Sequence, residues 1–268
     1  MNATDITTLA NELFHSETER KQIEQFSKRF PAMTMDDAYA VQAAWVSQKI
    51  AAGHKPVGHK IGLTSRAMQI AAQITEPDSG MLLEHMMMRS SEHFSMSRFI
   101  APMVEVELAF VLRRDIDGVN TSLEDVLDAT AYITPALEII DARIERLDRV
   151  TKAPRKVVDT ISDNAANAAV IVGDVRVPAT DIDLPWVGAS MSKNGAVEET
   201  GLASGVLGHP AMGIAWLARR LAKYGQRLRE GDFVLSGSFT RPVPMAVGDV
   251  FSVAYSHDFG TISVKCEK

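Results

Sequence analysis

Pro102-Met-Val-Glu-Val-Glu-Leu-Ala-Phe-Val-Leu112 is the stretch on which the reading of this chain turns. Side chains two apart on a strand share a face, so Glu105 and Glu107 stand together, about 7 Å apart along the backbone. Their face continues with Ala109 and Val111, and the opposite face carries Val104, Val106, Leu108 and Phe110. A strand that is apolar on both faces belongs to an interior, where unpaired carboxylates are costly. Thr134-Pro-Ala-Leu-Glu-Ile-Ile-Asp141 repeats the anomaly: Glu138 shares a face with Ala136 and Ile140 and is backed by Leu137 and Ile139. Three such carboxylates repel one another if they meet. Spacing leaves two solutions open, separate salt bridges to arginines or a single divalent cation gripped by all three. An all-oxygen donor set would suit a hard ion such as Mg2+.

Working outward, Gly58-His-Lys-Ile-Gly-Leu-Thr-Ser65 places Lys60 on a strand face between two glycines, which leave room for a ligand or a close backbone. A lysine in a poorly solvated pocket can have its pKa lowered enough to move protons near neutrality; an ordinary strand-edge lysine is the alternative. Glu76-Pro-Asp-Ser-Gly80 has turn composition, with Asp78 either a turn residue or an acid facing substrate. Ser162-Asp163-Asn164 and Ser236-Gly-Ser-Phe-Thr240 supply hydroxyl, amide and backbone groups that could orient an anionic ligand. Arg66, Arg155 and Arg241 could each meet a second carboxylate of such a ligand, and their spacing selects none of them.

Around these segments the chain reads as helices first and strands afterwards. Ile6, Leu9, Leu13 and Phe14 recur at helical spacing, and Thr34 with Asp37 forms a capping box that opens a helix through Ala51. Strand-like runs follow at 57–63, 86–89, 103–113, 136–140, 168–177, 233–235, 251–256 and 261–265. Helices interrupt them at 122–129 and 210–224, the second opened by Pro210 and stopped by Gly225. The runs do not alternate regularly with helices, which favours an α+β architecture over a doubly wound parallel sheet. We expect an N-terminal helical arm over residues 1–55 and a curled mixed-sheet domain over 56–268, integrated into one unit.

Composition narrows the function. A length of 268 residues, with 46% hydrophobic and 23% charged, describes a folded globular chain. A net charge of -6 argues against a general nucleic-acid binder. The single cysteine, Cys266, excludes an internal disulfide and a thiolate zinc cage. No run reaches the roughly 20 apolar residues of a membrane span, and residues 1–14 lack the pattern of a secretory signal, so a cytoplasmic location without membrane contact is the expectation. HExxH, GxSxG, Walker and GxGxxG motifs are all missing.

Taken in order, residues 58–65, 102–109, 136–141, 163–165 and 235–240 resemble the hydratase/decarboxylase family of meta-cleavage pathways, within the fumarylacetoacetase superfamily. The likeness spans nearly the whole chain and lies in the ordered set of segments. It implies a mixed β-roll core with flanking helices, and Mg2+ or Mn2+ held by Glu105, Glu107 and Glu138. It implies Lys60 and Asp78 as catalytic proton carriers, and Ser162, Asn164, Ser238 and Thr240 as substrate-binding groups. The implied reaction adds water to an unsaturated 2-oxo dicarboxylic acid of aromatic catabolism, 2-oxohept-4-ene-1,7-dioate, giving 4-hydroxy-2-oxoheptane-1,7-dioate. A decarboxylase of related 2-oxo acids is the alternative enzyme, and a non-catalytic assembly subunit the alternative outside enzymes. The likeness further implies homo-oligomeric rings, a pentamer or a decamer.

Overall fold

The computed structural model describes residues 1–90 and 93–268. Its centre is an eight-stranded mixed sheet. In spatial order this runs β2 (Asp78–Leu83), β1 (Pro56–Gly62), β10 (Phe233–Leu235), β5 (Met103–Leu112), β6 (Thr130–Ile140), β7 (Asn167–Val172) and β3 (Met87–Arg89), with β11 (Val243–Pro244) also pairing with β5. A five-stranded sheet runs β4 (Phe94–Ser95), β13 (Thr261–Glu267), β12 (Val250–Tyr255), β8 (Gly188–Lys193) and β9 (Ala196–Leu202). The helices are α1 (Ala3–Glu19), α2 (Phe26–Arg29), α3 (Met35–Ala51), α4 (Arg66–Ala72), α5 (Leu123–Ala129), α6 (Val157–Ser162) and α7 (Pro210–Ala222). This is the α+β architecture expected.

Strand alternation sorts the large sheet into two faces. Val104, Val106, Leu108 and Phe110 of β5 join Leu137 and Ile139 of β6, Phe251 and Val253 of β12 and Ile214 of α7 in the main core. The opposite face carries Glu105, Glu107 and Ala109, and Ala109 packs with Leu82, Ala136, Val170 and Leu235 in a small cluster beside the glutamates. The N-terminal helices share a second core with the rest of the chain: Leu9, Leu13, Phe26, Val41 and Trp45 pack on Leu83, Met86, Ile144, Val158 and Ile161. Caps fix their ends. Thr34 and Asp37 form the reciprocal capping box of α3, and Ser122 and Asp125 that of α5.

The run expected at 168–177 ends as a strand at Val172, that at 136–140 begins at Thr130, and other segments differ in kind. Glu76-Pro-Asp-Ser-Gly80 is not a turn: from Asp78 onward it is β2, antiparallel to β1. The turn-forming residues serve packing there, since a Cβ at Gly80 would lie 2.5 Å from the Asn164 carbonyl oxygen. Residues 157–162, which lie outside every expected helix and strand run, form α6. Strands β8 and β9 escape an apolar-run search because the hairpin is polar and β9 largely exposed. Asn194 and Gly195 turn it with φ of 54° and 85°, the backbone that a two-residue hairpin turn demands.

Candidate active site

Register brings the acidic residues together. In the β5–β6 ladder Glu105 lies directly opposite Glu138, and Glu107 opposite Ala136. One carboxylate oxygen from each of Glu105, Glu107 and Glu138 falls within 4.8 Å of the others. Glu107 and Glu138 are buried and Glu105 half-buried. The three carboxylates converge, and none of them pairs with an arginine among the described residues. Glu138 Oε1 accepts from Asn167 Nδ2 at 2.9 Å, and Glu107 Oε2 from the Gly237 N–H at 2.9 Å. Glu138 Oε2 has no hydrogen-bond partner among the described residues.

Lys60 supplies the nearest positive charge, its Nζ 3.2 Å from Glu138 Oε1 and donating to the Ala165 carbonyl at 2.9 Å. It is no edge lysine: β1 lies between β2 and β10, and the residue is 3% exposed. Its glycine neighbours have separate causes. A Cβ on Gly58 would lie 1.9 Å from the Phe233 carbonyl oxygen, so that glycine admits the backbone of β10. A Cβ on Gly62 would lie 2.3 Å from Asp78 Oδ1, so that one admits a carboxylate. Asp78 is 1% exposed, and neither of its oxygens has a hydrogen-bond partner among the described residues.

The electrostatics follow from crowding acids in a dry place. Burial, then the charge of Glu138, raises Glu105 to about 8 and lifts Glu107 well above the usual carboxylate range. Burial also raises Asp78, against the pull of Lys60. For Lys60 the expected lowering is reversed. Burial does act downward, but Glu138, Asp78, Glu105 and Glu107 together outweigh it and hold the ammonium above its ordinary value.

These groups line one cavity of about 630 Å³, ample for a small organic acid. Its walls also include Ser238 and Thr240 from the segment crossing β5, Ala67 and Met68 of α4, and Arg155 and Arg241; Arg66 is not among them. Thr240 Oγ1 accepts from the Val106 N–H at 3.2 Å, and Ser238 Oγ donates to the Thr240 carbonyl at 2.9 Å, which rigidifies this wall. Two expected substrate-binding residues lie elsewhere. Ser162 donates to the Val158 carbonyl at 2.8 Å inside α6, as a buried helical serine does. Asn164 spends its amide on the backbone N–H and carbonyl of Met81, at 2.8 and 2.9 Å.

Sequence reading missed the device that holds Lys60. Asn164, Ala165 and Ala166 take φ of 53°, 50° and 63°, three consecutive left-handed residues that are not glycine. For each of the two alanines this conformation costs on the order of 1–2 kcal/mol. The turn aims the Ala165 carbonyl at the ammonium, and the Asn164 clamp on Met81 pins it. Alanine carries no sequence signal for this conformation. Neither the Gly237 N–H nor Asn167 carries a residue pattern that marks it as a partner of the glutamates.

The family model Fumarylacetoacetate (FAA) hydrolase C-terminal matches residues 49–266. The chain belongs to that family. Within it, the chain is 52% identical over 259 residues to 2-oxo-hept-4-ene-1,7-dioate hydratase of Escherichia coli, covering 97% of each. It is 36% identical over 258 residues to 2-keto-4-pentenoate hydratase of Paraburkholderia xenovorans, covering 96% of this chain and 93% of that one. Among solved structures, 4-oxalocrotonate decarboxylase from Pseudomonas putida G7, complexed with magnesium and adipate, superposes with a TM-score of 0.93 at 32% identity, covering 99% of this chain and 98% of that one. This fumarylacetoacetate hydrolase family site therefore combines an all-carboxylate cluster, a buried lysine and an unpaired buried aspartate in one cavity.

Proposed function

We propose that the chain is a metal-dependent hydro-lyase that adds water to an unsaturated 2-oxo dicarboxylic acid, 2-oxohept-4-ene-1,7-dioate, yielding 4-hydroxy-2-oxoheptane-1,7-dioate. The observation that carries this is the convergence of Glu105, Glu107 and Glu138 beside Lys60 and Asp78, in a chain 52% identical to a hydratase of that acid. The three glutamates fit a hard divalent cation: they offer oxygen only, they repel one another without it, and Glu138 keeps an unpartnered oxygen. Mg2+ is the ion we assign, with Mn2+ as a substitute. When bound, it supplies Lewis acidity that draws charge toward the 2-oxo oxygen of the substrate.

The chain's own residues handle protons and position. Moving one proton from C3 to C5 brings the double bond into conjugation with the 2-oxo group; water then adds its hydroxyl at C4 and a proton returns to C3. Lys60, protonated and held by Ala165 and Glu138, donates a proton, and the unpaired Asp78 carboxyl, raised by burial toward neutrality, exchanges one. Ser238 and Thr240 form the polar wall that orients the acid. A place in homoprotocatechuate degradation, assembly into homo-oligomeric rings and a cytoplasmic location belong to the same reading, supported by kinship with bacterial enzymes named for small acids.

Decarboxylation is the second reading, favoured by the fold match to a decarboxylase at a TM-score of 0.93. Incubating the protein and Mg2+ with the candidate 2-oxo acids and weighing the products separates them. Gain of one water supports the hydratase, and loss of one carbon dioxide overturns it.

A further inference from the structure

A dicarboxylate needs a partner at its remote end, and two cations line the cavity besides Lys60, namely Arg155 and Arg241. Arg241 is already engaged and wet. Its Nε and one terminal nitrogen both meet Glu199 Oε1, at 2.9 and 2.6 Å, and its side chain is 82% exposed. Arg155 is the reverse, with a side chain only 12% exposed. It contacts the protein through one terminal nitrogen alone, 3.4 Å from the Ile144 carbonyl and 3.3 Å from Asp163 Oδ2. Its Nε and other terminal nitrogen have no hydrogen-bond partner among the described residues, so the fork-shaped edge that suits a carboxylate is open.

Charge balance agrees. Asp163 also takes the guanidinium of Arg143, and Arg143 shares Glu17 with Lys49. Three cations thus divide two carboxylates within this ion-pair network, so Asp163 is not Arg155's alone. The backbone fixes where Arg155 stands, since its N–H donates to the Arg146 carbonyl at 2.9 Å beside the Leu147–Pro154 bridge. Arg155 lines the same cavity as Asp78, and its charge acts on that carboxyl.

We infer that Arg155 receives the carboxylate remote from the 2-oxo end and thereby makes the site select dicarboxylic over monocarboxylic 2-oxo acids. This rests on the proposed reading only for the direction in which the substrate lies. A substrate without that carboxylate leaves the half-buried guanidinium edge unmatched, the situation in which a polar site discriminates most strongly.

The test compares 2-oxoheptanedioate with 2-oxoheptanoate, saturated acids that cannot be hydrated and differ only in the distal carboxylate. Dissociation constants are measured by calorimetry on the full-length protein with Mg2+. The wild type is expected to favour the dioate by about tenfold or more. Arg155→Met should erase the preference by weakening the dioate alone, Arg155→Lys should retain part of it, and Arg241→Met should keep it. Equal weakening of both acids by Arg155→Met would show a purely structural role through Asp163 and overturn the inference, as would an unchanged preference. Should Arg155→Met fail to fold, Arg155→Lys decides on the same ratio. A failed hydration assay alongside a lost preference would sink the hydratase reading and leave this one standing.

Discussion

Gly62 lies directly across the β1–β2 ladder from Asp78, and a Cβ on it would lie 2.3 Å from Asp78 Oδ1. The glycine is the space into which the aspartate carboxylate fits. Gly62→Ala should therefore displace the Asp78 side chain while the backbone stays in place, because the obstructed group is the mobile end of a side chain. We expect kcat to fall by about 100-fold, the scale of a lost proton carrier, with the thermal midpoint little changed. An unaltered kcat would show that Asp78 moves no proton in the reaction.

A second expectation concerns pH and metal together. In the metal-free fold Glu105 titrates at about 8 against an ordinary value of 4.5, so the folded state holds a proton that the unfolded chain has released. Its contribution to stability is complete below about pH 4.5 and drains away as pH rises through about 8. Urea midpoints of the metal-free protein should fall across that window, and fall less in Glu105→Gln. Saturating Mg2+ should also flatten the decline, since it binds the charged form. Equal pH profiles for the parent and Glu105→Gln, both without metal, would contradict it.

Asn164→Ala removes the donor and acceptor that satisfy the backbone of Met81 and frees the left-handed turn that carries Ala165. The loss should be about 2–3 kcal/mol in chemical denaturation. Because that turn holds the Lys60 ammonium, kcat should drop by more than the KM for substrate rises. A variant destabilised to that extent but with normal kcat would separate the clamp from catalysis.

What was legible in the sequence follows physical lines. Glu105, Glu107 and Glu138 could be singled out because strand alternation is local and a carboxylate among apolar neighbours is anomalous on its own strand. Lys60 stood out through its glycines, although the two admit different things, a backbone at Gly58 and a carboxylate at Gly62. The stretch around Asp78 has turn composition because Pro77, Ser79 and Gly80 suit a turn, and only pairing with β1 makes Asp78, Ser79 and Gly80 strand. Ser162 and Asn164 engage backbone groups of Val158 and Met81, since a polar side chain near a site can equally serve the fold. The Ala165 carbonyl was invisible, since backbone acceptors carry no residue code and alanine is a poor candidate for a left-handed turn.

The last prediction concerns how Lys60 acts. Its Nζ donates to the Ala165 carbonyl at 2.9 Å and stands 3.2 Å from Glu138 Oε1, and the carboxylates around it keep it protonated. An ammonium has no lone pair with which to attack a carbonyl carbon, so in the proposed reaction Lys60 donates a proton and forms no Schiff base. Lys60→Met should lower kcat by about 1,000-fold while 2-oxoheptanedioate still binds. Borohydride added during turnover of the wild type should leave the mass of the Lys60 peptide unchanged. A stable adduct on that peptide would show that the amine loses its proton in the working site, and that the cation held by the glutamates offsets their charge far enough to free it.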